Sequence, residues 1–162
     1  MTPANPASGA DDDAIWRPRV TVATIVPKDG RYLLVEEHVH GRLLLNQPAG
    51  HLEPGESLLE AARRETREET GWDVEIVSLV GAYQWSNSPQ NRHFLRFTFA
   101  AAALRHHPEQ SLDQGIQAAL WLSRSEIEAA GARLRSPLIL ASIDAWLGGQ
   151  RLPLTALDYR TD

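Results

Sequence analysis

The chain has 162 residues, of which 43% are apolar and 23% charged, with a formal net charge of −5 and no cysteine. This is the length of one domain with a sizeable core; the acidic balance argues against a nucleic-acid polymer as partner, and the missing cysteines exclude disulfides and thiolate metal sites. No apolar run approaches the roughly 18–20 residues of a membrane helix, so no membrane partner is expected and a cytoplasmic, reducing setting is the natural reading.

In chain order, the start "MTPANPASGADDD" has neither a basic opening nor an apolar stretch. It reads as a disordered leader over residues 1–15 and not as a signal peptide. A single domain is expected over 16–154, with 155–162 as a tail. Val20–Val26 is β-branched and closed by Pro27, which predicts a strand; the Asp-Gly of "PKDGR" then turns the chain into a second strand, "YLLVEEHV", as a hairpin. "NQPAGHLEPGES" reads as a loop broken by Pro48, Gly50, Pro54 and Gly55. A helix follows over Leu58–Thr70, with Ser57 and Glu60 as a capping box and Gly71 at a left-handed C-cap. Strands are expected near Val74–Trp85, His93–Leu104 and Ala118–Leu122. Two helices close the domain, "SRSEIEAAG" and "SPLILASIDAWLGG", the second with Ser136 as N-cap and Pro137 in first position. Trp16, Trp121 and Trp146 are assigned to packing. This order predicts an α+β fold with a mixed sheet.

The central helix carries the chemistry. At about 100° per residue, Leu58, Ala62, Glu65 and Glu69 share one stripe, bordered by Leu59 and Thr66, while Glu60, Arg63, Arg64 and Arg67 point elsewhere. Glu65, Glu68 and Glu69, at i, i+3 and i+4, stack three carboxylates. Acidic helix faces are ordinarily solvated and laced with pairs such as Glu60–Arg64 and Arg64–Glu68. Here Glu65 and Glu69 continue the inward stripe, where a charge needs a partner or a metal. Clustered oxygens suit hard divalent cations, so Mg²⁺, or Mn²⁺ in its place, is the expected neutraliser. His51, His106 and His107 read as surface residues, because such a cation prefers oxygen.

The spacing from Gly50 through Glu56, Arg64-Glu65 and Glu68-Glu69 to Gly71 and apolar Trp72 resembles the Nudix box, with Thr66 where the pattern usually has an aliphatic residue. "RVTVATIV", "NQPAGHLE", Gln84-Trp85, "FLRF" at Phe94–Phe97 and "LRSPL" at Leu134–Leu138 resemble the NudJ-type phosphatase branch, from about Arg17 to Leu154. Leu45 departs from that branch, which often has Trp before "NQPAG". The resemblance implies a Nudix-type α/β/α sandwich with a mixed sheet. It also implies Mg²⁺-dependent hydrolysis of phosphoanhydrides in nucleoside tri- and diphosphates and in small diphosphates such as the thiamine-pyrimidine diphosphate, releasing phosphate.

By the same resemblance, Glu65 and Glu69 would ligate the metal, Glu68 would share it or act as base, and the backbone carbonyl of Ala49 would be a further ligand. Arg64 would orient a neighbouring carboxylate. Glu56 reads as structural, placed before the helix N-terminus where negative charge is favoured. A distal acid is the other candidate base, Asp113 or Glu109, with Asp113 ahead because "LDQGI" leads straight into the strand of Trp121. Trp85 either stacks on a substrate ring or joins the core. Arg96, inside an apolar strand, either reaches a phosphate or pairs with a carboxylate. Two further readings stay open: a triphosphate pyrophosphohydrolase releasing pyrophosphate, and a catalytically dead Nudix-fold nucleotide-binding module, which the complete glutamate set disfavours. A small-molecule substrate and a monomer or homodimer are expected.

Overall fold

The computed structural model describes residues 16–87, 89 and 91–161, so the leader expected over residues 1–15 lies outside the described residues. In chain order the elements are β1 (Arg19–Ile25), β2 (Pro27–Lys28), β3 (Arg31–Val39), β4 (Arg42–Asn46), β5 (Ala49–His51), α1 (Leu58–Thr70), β6 (Trp72–Asn87), β7 (Arg92–His106), β8 (Ile116–Ser123), α2 (Arg124–Ala129) and α3 (Leu138–Leu147). Among the described residues no helix is long and apolar enough to cross a membrane.

Two sheets form. The first, in order β5-β1-β7-β6, is mixed: β1 runs parallel to β7 and antiparallel to β5, and β6 and β7 make a long antiparallel ribbon. In the second, β2, β4 and β8 all pair antiparallel with β3. The expected hairpin is therefore corrected. The turn itself forms, with Asp29 and Gly30 at φ 51° and 74°, as a two-residue hairpin turn requires. It joins only β2 to β3, because Pro27 interrupts the first strand and β1 goes to the other sheet. The "NQPAG" loop is corrected too: Asn46 ends β4 and Ala49–His51 add an edge strand to β1.

Strand alternation gives each sheet two buried faces. Leu33, Phe99 and Ala101 share one core with Ala61 and Ala62 of α1; their neighbours Leu34 and Ala100 share the other with Ile127 of α2 and Ile139 and Ile143 of α3. Helices thus cover both sides of the strands. The helix α1 spans the predicted Leu58–Thr70, with the Ser57–Glu60 capping box and left-handed Gly71 in place. Thr66 is fully buried, and its hydroxyl is satisfied by the Ala62 carbonyl at 2.7 Å and by Thr24 Oγ1 at 2.8 Å. That is how the helix accommodates a polar residue at an aliphatic position.

Two expectations fail locally. Ser136 does not cap α3: its hydroxyl is buried without a partner and Pro137 is already in helical conformation. Trp16 is no packing residue; it is 57% exposed and touches only the edge of His93 among the aromatic contacts. After α3, Leu152 pairs with Leu79 through both backbone hydrogen bonds, and Leu154, with Leu157 of the expected tail, packs on the α1-side core.

Candidate active site

A helix with three stacked glutamates must place their charges somewhere. Glu65 and Glu69 are 9% and 8% exposed, while Glu68 lies further out. Burial is the main reason the Glu69 carboxyl is pushed up to about 8; the nearby charges of Glu65, Glu37 and Asp113 add to this, and a 2.8 Å hydrogen bond from the Ala49 amide opposes it. Burial likewise raises Glu65, against the pull of Arg64.

Arg64 was expected to point away from this stripe, yet its long side chain reaches back across one position. It donates to Glu65 at 2.9 Å, to Glu68 at 3.1 Å and to the His51 carbonyl at 3.1 Å. Glu56 holds its other edge by two bonds of 2.9 and 2.7 Å, and this pairing keeps Glu56 below the usual carboxylate range. Glu60 serves the cap and not Arg64. Gly50 has a steric reason: a Cβ built there would overlap the Glu65 carboxyl group.

Asp113 joins the helix acids. Its amide donates to the Glu68 carbonyl at 3.1 Å, and carboxylate oxygens of Glu65, Glu68 and Asp113 all lie within 4.8 Å of one another. Glu109 is exposed and outside this group. A set of oxygen donors, partly buried and unable to stay fully charged without a counter-ion, fits a hard divalent cation. His106 instead stacks on Trp72, and His107 bonds Asp73 at 2.7 Å.

Glu65 and Glu69 line a cavity of about 400 Å³, the size of a small-molecule site. The register of the first sheet brings Trp85 opposite Phe94 and Arg96 beside Thr21. Trp85 and Phe94 stack at 5.4 Å and 20°, and both line the cavity. Arg96 also lines it; it is 7% exposed and its Nε has no partner among the described residues. Burial draws the Arg96 guanidinium down to about 10, with Glu69 and Glu37 holding it up, so it stays charged near neutrality.

The NUDIX domain family matches residues 16–142. This chain belongs to the Nudix family. Phosphatase NudJ of Escherichia coli K12 is 44% identical over 140 residues, covering 86% of this chain and 90% of that protein. A NUDIX hydrolase from Nitrosomonas europaea is 44% identical, with a TM-score of 0.87 over 89% of this chain and 98% of its own. The MutT protein from Methanosarcina mazei Go1, at 17% identity and TM-score 0.68 over 85% and 100%, shares the fold. The protein is accordingly a Nudix hydrolase similar to the NudJ-type phosphatases, an enzyme acting on phosphorus-containing acid anhydrides, and Nudix enzymes generally use divalent metals.

In this Nudix chain the structure gathers Glu65, Glu69, Ala49, Trp85 and Arg96 around one cavity, with Arg64, Glu68 and Asp113 at the acidic end. Leu45 is 2% exposed in the core, so the aromatic surface of the cavity comes from Trp85 and Phe94. Sequence reasoning missed Glu37, Asn46, Arg135 and Ser136, which line the far wall. Polar residues inside the apolar runs "YLLVEEHV" and "RLLLN" were the available signal.

Proposed function

We propose that this Nudix hydrolase takes Mg²⁺, or Mn²⁺ in its place, at Glu65, Glu68 and Glu69 with the Ala49 carbonyl, and releases inorganic phosphate from nucleoside tri- and diphosphates and from small diphosphates such as the thiamine-pyrimidine diphosphate. The observation that carries this reading is a buried Arg96, its Nε without a hydrogen-bond partner among the described residues, lining the same cavity as Glu65 and Glu69. A cation and a metal-competent carboxylate pair around one space suit an anion that bridges them. When bound, the metal neutralises phosphate oxygens and makes water a nucleophile. Arg64, fixed by Glu56, orients Glu65 and Glu68. Glu68, or Asp113 beside it, takes the proton of the attacking water. Arg96 holds phosphate oxygens, and Trp85 offers a face to the organic ring.

Phosphate as product is supported by the 44% identity to a protein described as a phosphatase. The test is a panel of nucleoside triphosphates, nucleoside diphosphates and small diphosphates with Mg²⁺, assayed separately for phosphate and pyrophosphate. Phosphate from both tri- and diphosphates is expected. Pyrophosphate alone from triphosphates, with diphosphates untouched, would replace this reading with a pyrophosphohydrolase.

A further inference from the structure

One stretch of the cavity wall carries buried polar side-chain atoms without hydrogen-bond partners among the described residues. Glu37 Oε1, Asn46 Oδ1 and Ser136 Oγ are each buried without a hydrogen-bond partner among the described residues, and all three residues line the cavity. The β3–β4 register sets Asn46 opposite Val35, two residues from Glu37, so Glu37 and Asn46 project from the same face of the sheet. The amide of Arg135 bonds the Leu45 carbonyl at 2.9 Å, which seats Ser136 beside β4. Arg135 Nη1 lies 3.4 Å from Glu37 Oε1, near enough for charge attraction but not aligned as a hydrogen bond. Buried polar atoms left without partners are costly, and the cavity lining keeps two such acceptors and one such hydroxyl.

The rest of the cavity says what meets that wall. The stacked Trp85–Phe94 pair offers a flat aromatic surface, suited to a planar ring. An amino group on that ring carries two hydrogens, enough to satisfy Glu37 and Asn46 together, and the Ser136 hydroxyl accepts or donates as needed. A ring carbonyl in the same place would set an oxygen against a carboxylate.

We propose that Glu37, Asn46 and Ser136 form a specificity wall that selects phosphoanhydride substrates whose heteroaromatic ring bears an exocyclic amino group over their carbonyl-bearing counterparts. The inference rests on the reading of this cavity as the site of hydrolysis. A site built to bond a substrate group discriminates strongly against an analogue lacking it, because its own polar groups then stay unpaired.

The test compares near-isosteric pairs. For CTP against UTP, and for ATP against ITP, kcat/KM should favour the amino member by at least about tenfold. Glu37→Gln lets an amide N–H face the ring and should narrow or reverse the preference, and Asn46→Leu should narrow it. A merely structural role would lower both members of a pair equally. Calorimetric titration with CMP and UMP, which needs no hydrolysis, should show the same order of affinity. Equal kcat/KM within both pairs, or equal binding of CMP and UMP, overturns the inference and leaves the hydrolase reading intact. If no member of the tri- and diphosphate panel is hydrolysed, the proposed hydrolase reading fails, and the CMP–UMP comparison still decides the wall.

Discussion

The helix side of the cavity draws Glu65 and Glu69 from a single run of α1, with Glu68 beside Glu65, whereas Glu37, Asn46, Arg96 and Ser136, together termed the facing wall, come to the lining from three strands and the segment before α3. The first wall concentrates like charge and is held together by Arg64, itself gripped by Glu56. The second mixes opposite charges and leaves hydrogen-bonding atoms unfilled. A crowded anionic strip is high in free energy until a cation arrives, so it suits binding metal. Unfilled donors and acceptors at fixed positions suit reading the shape and polarity of a substrate. On the proposed reading, chemistry and selectivity are carried by parts of the fold with different origins, one set by helix periodicity and one by strand register.

The largest expected effect lies on the helix wall. Replacing Glu69 by Gln removes one of the ligands proposed for the metal and should lower kcat by roughly 100- to 1,000-fold, the equivalent of about 3–4 kcal/mol of transition-state stabilisation. The same change should make the metal-free protein no less stable at neutral pH, because the buried carboxyl must either carry a charge there or hold a proton that the unfolded chain releases, and a neutral amide does neither. The pH dependence follows with a definite sign. The Glu69 carboxyl titrates at about 8 in the fold against 4.5 as the ordinary value. Between those values the folded state holds a proton that the unfolded chain has released. Metal-free stability therefore falls as pH rises from about 4.5 to 8, and Glu69→Gln flattens that slope by an amount on the order of a few kcal/mol. Thermal melts across that range, with and without Mg²⁺, measure both effects. Mg²⁺ should stabilise the wild type and the variant much less. Equal gains in the two proteins would show that Glu69 holds no metal.

The two walls were also unequally legible in the sequence. Helix periodicity, a capping box and a left-handed glycine are local signals, so α1, its ends and the inward pair Glu65–Glu69 could be read from one segment. The helical projection misjudged only Arg64, because it records where a Cβ points and not how far a long side chain returns. Strand pairing is a long-range property. Nothing local says that β1 leaves its hairpin to lie beside β7, or that β4 turns Asn46 toward the same space as Arg96. Arg96 was found because an arginine in an apolar strand is unusual in itself, and Trp85 because Gln84-Trp85 belongs to the family resemblance and an aromatic face can stack on a ring. Glu37 and Ser136 had plausible local roles, as a strand charge and a helix cap, and those roles hid them. Ser136 is free to line the cavity because the helix it precedes begins without its hydroxyl.

On the facing wall the expected effect is smaller and of a different kind. Arg96→Met removes a buried cation that the helix wall does not need for its own assembly. A charge-assisted hydrogen bond is worth about 1.5–3 kcal/mol, so KM for nucleoside triphosphates should rise roughly 10- to 100-fold with a lesser fall in kcat. Steady-state kinetics at saturating Mg²⁺ separate the two parameters. Loss of kcat with unchanged KM would place Arg96 in the chemistry and erase the division between the walls.

The smallest effect tests whether the acidic wall is as local as it looks. Asp113 is brought to it from the loop between β7 and β8, and that loop is tied to the C-terminal end of α1. The amide of His107 bonds the Gly71 carbonyl at 2.8 Å, His107 Nε2 meets Asp73 at 2.7 Å, and Gln110 donates to the Arg67 carbonyl at 2.8 Å. The Arg67 guanidinium closes the cluster by contacting both Gln110 and Asp73. Gln110→Ala removes both of its side-chain bonds to Arg67 while the Asp113 amide keeps its bond to Glu68. Each hydrogen bond is worth about 0.5–1.5 kcal/mol net, and the loop keeps its other ties, so kcat should fall roughly 2- to 10-fold. The Mg²⁺ concentration for half-maximal activity should rise in step, and the substrate KM should change less than about twofold, since no residue of the facing wall has moved. Asp113→Asn should exceed that loss, because it deletes the carboxylate that the anchors only position. If Asp113→Asn leaves both the rate and the Mg²⁺ dependence unchanged, the loop contributes nothing to the acidic wall, and the helix alone makes it.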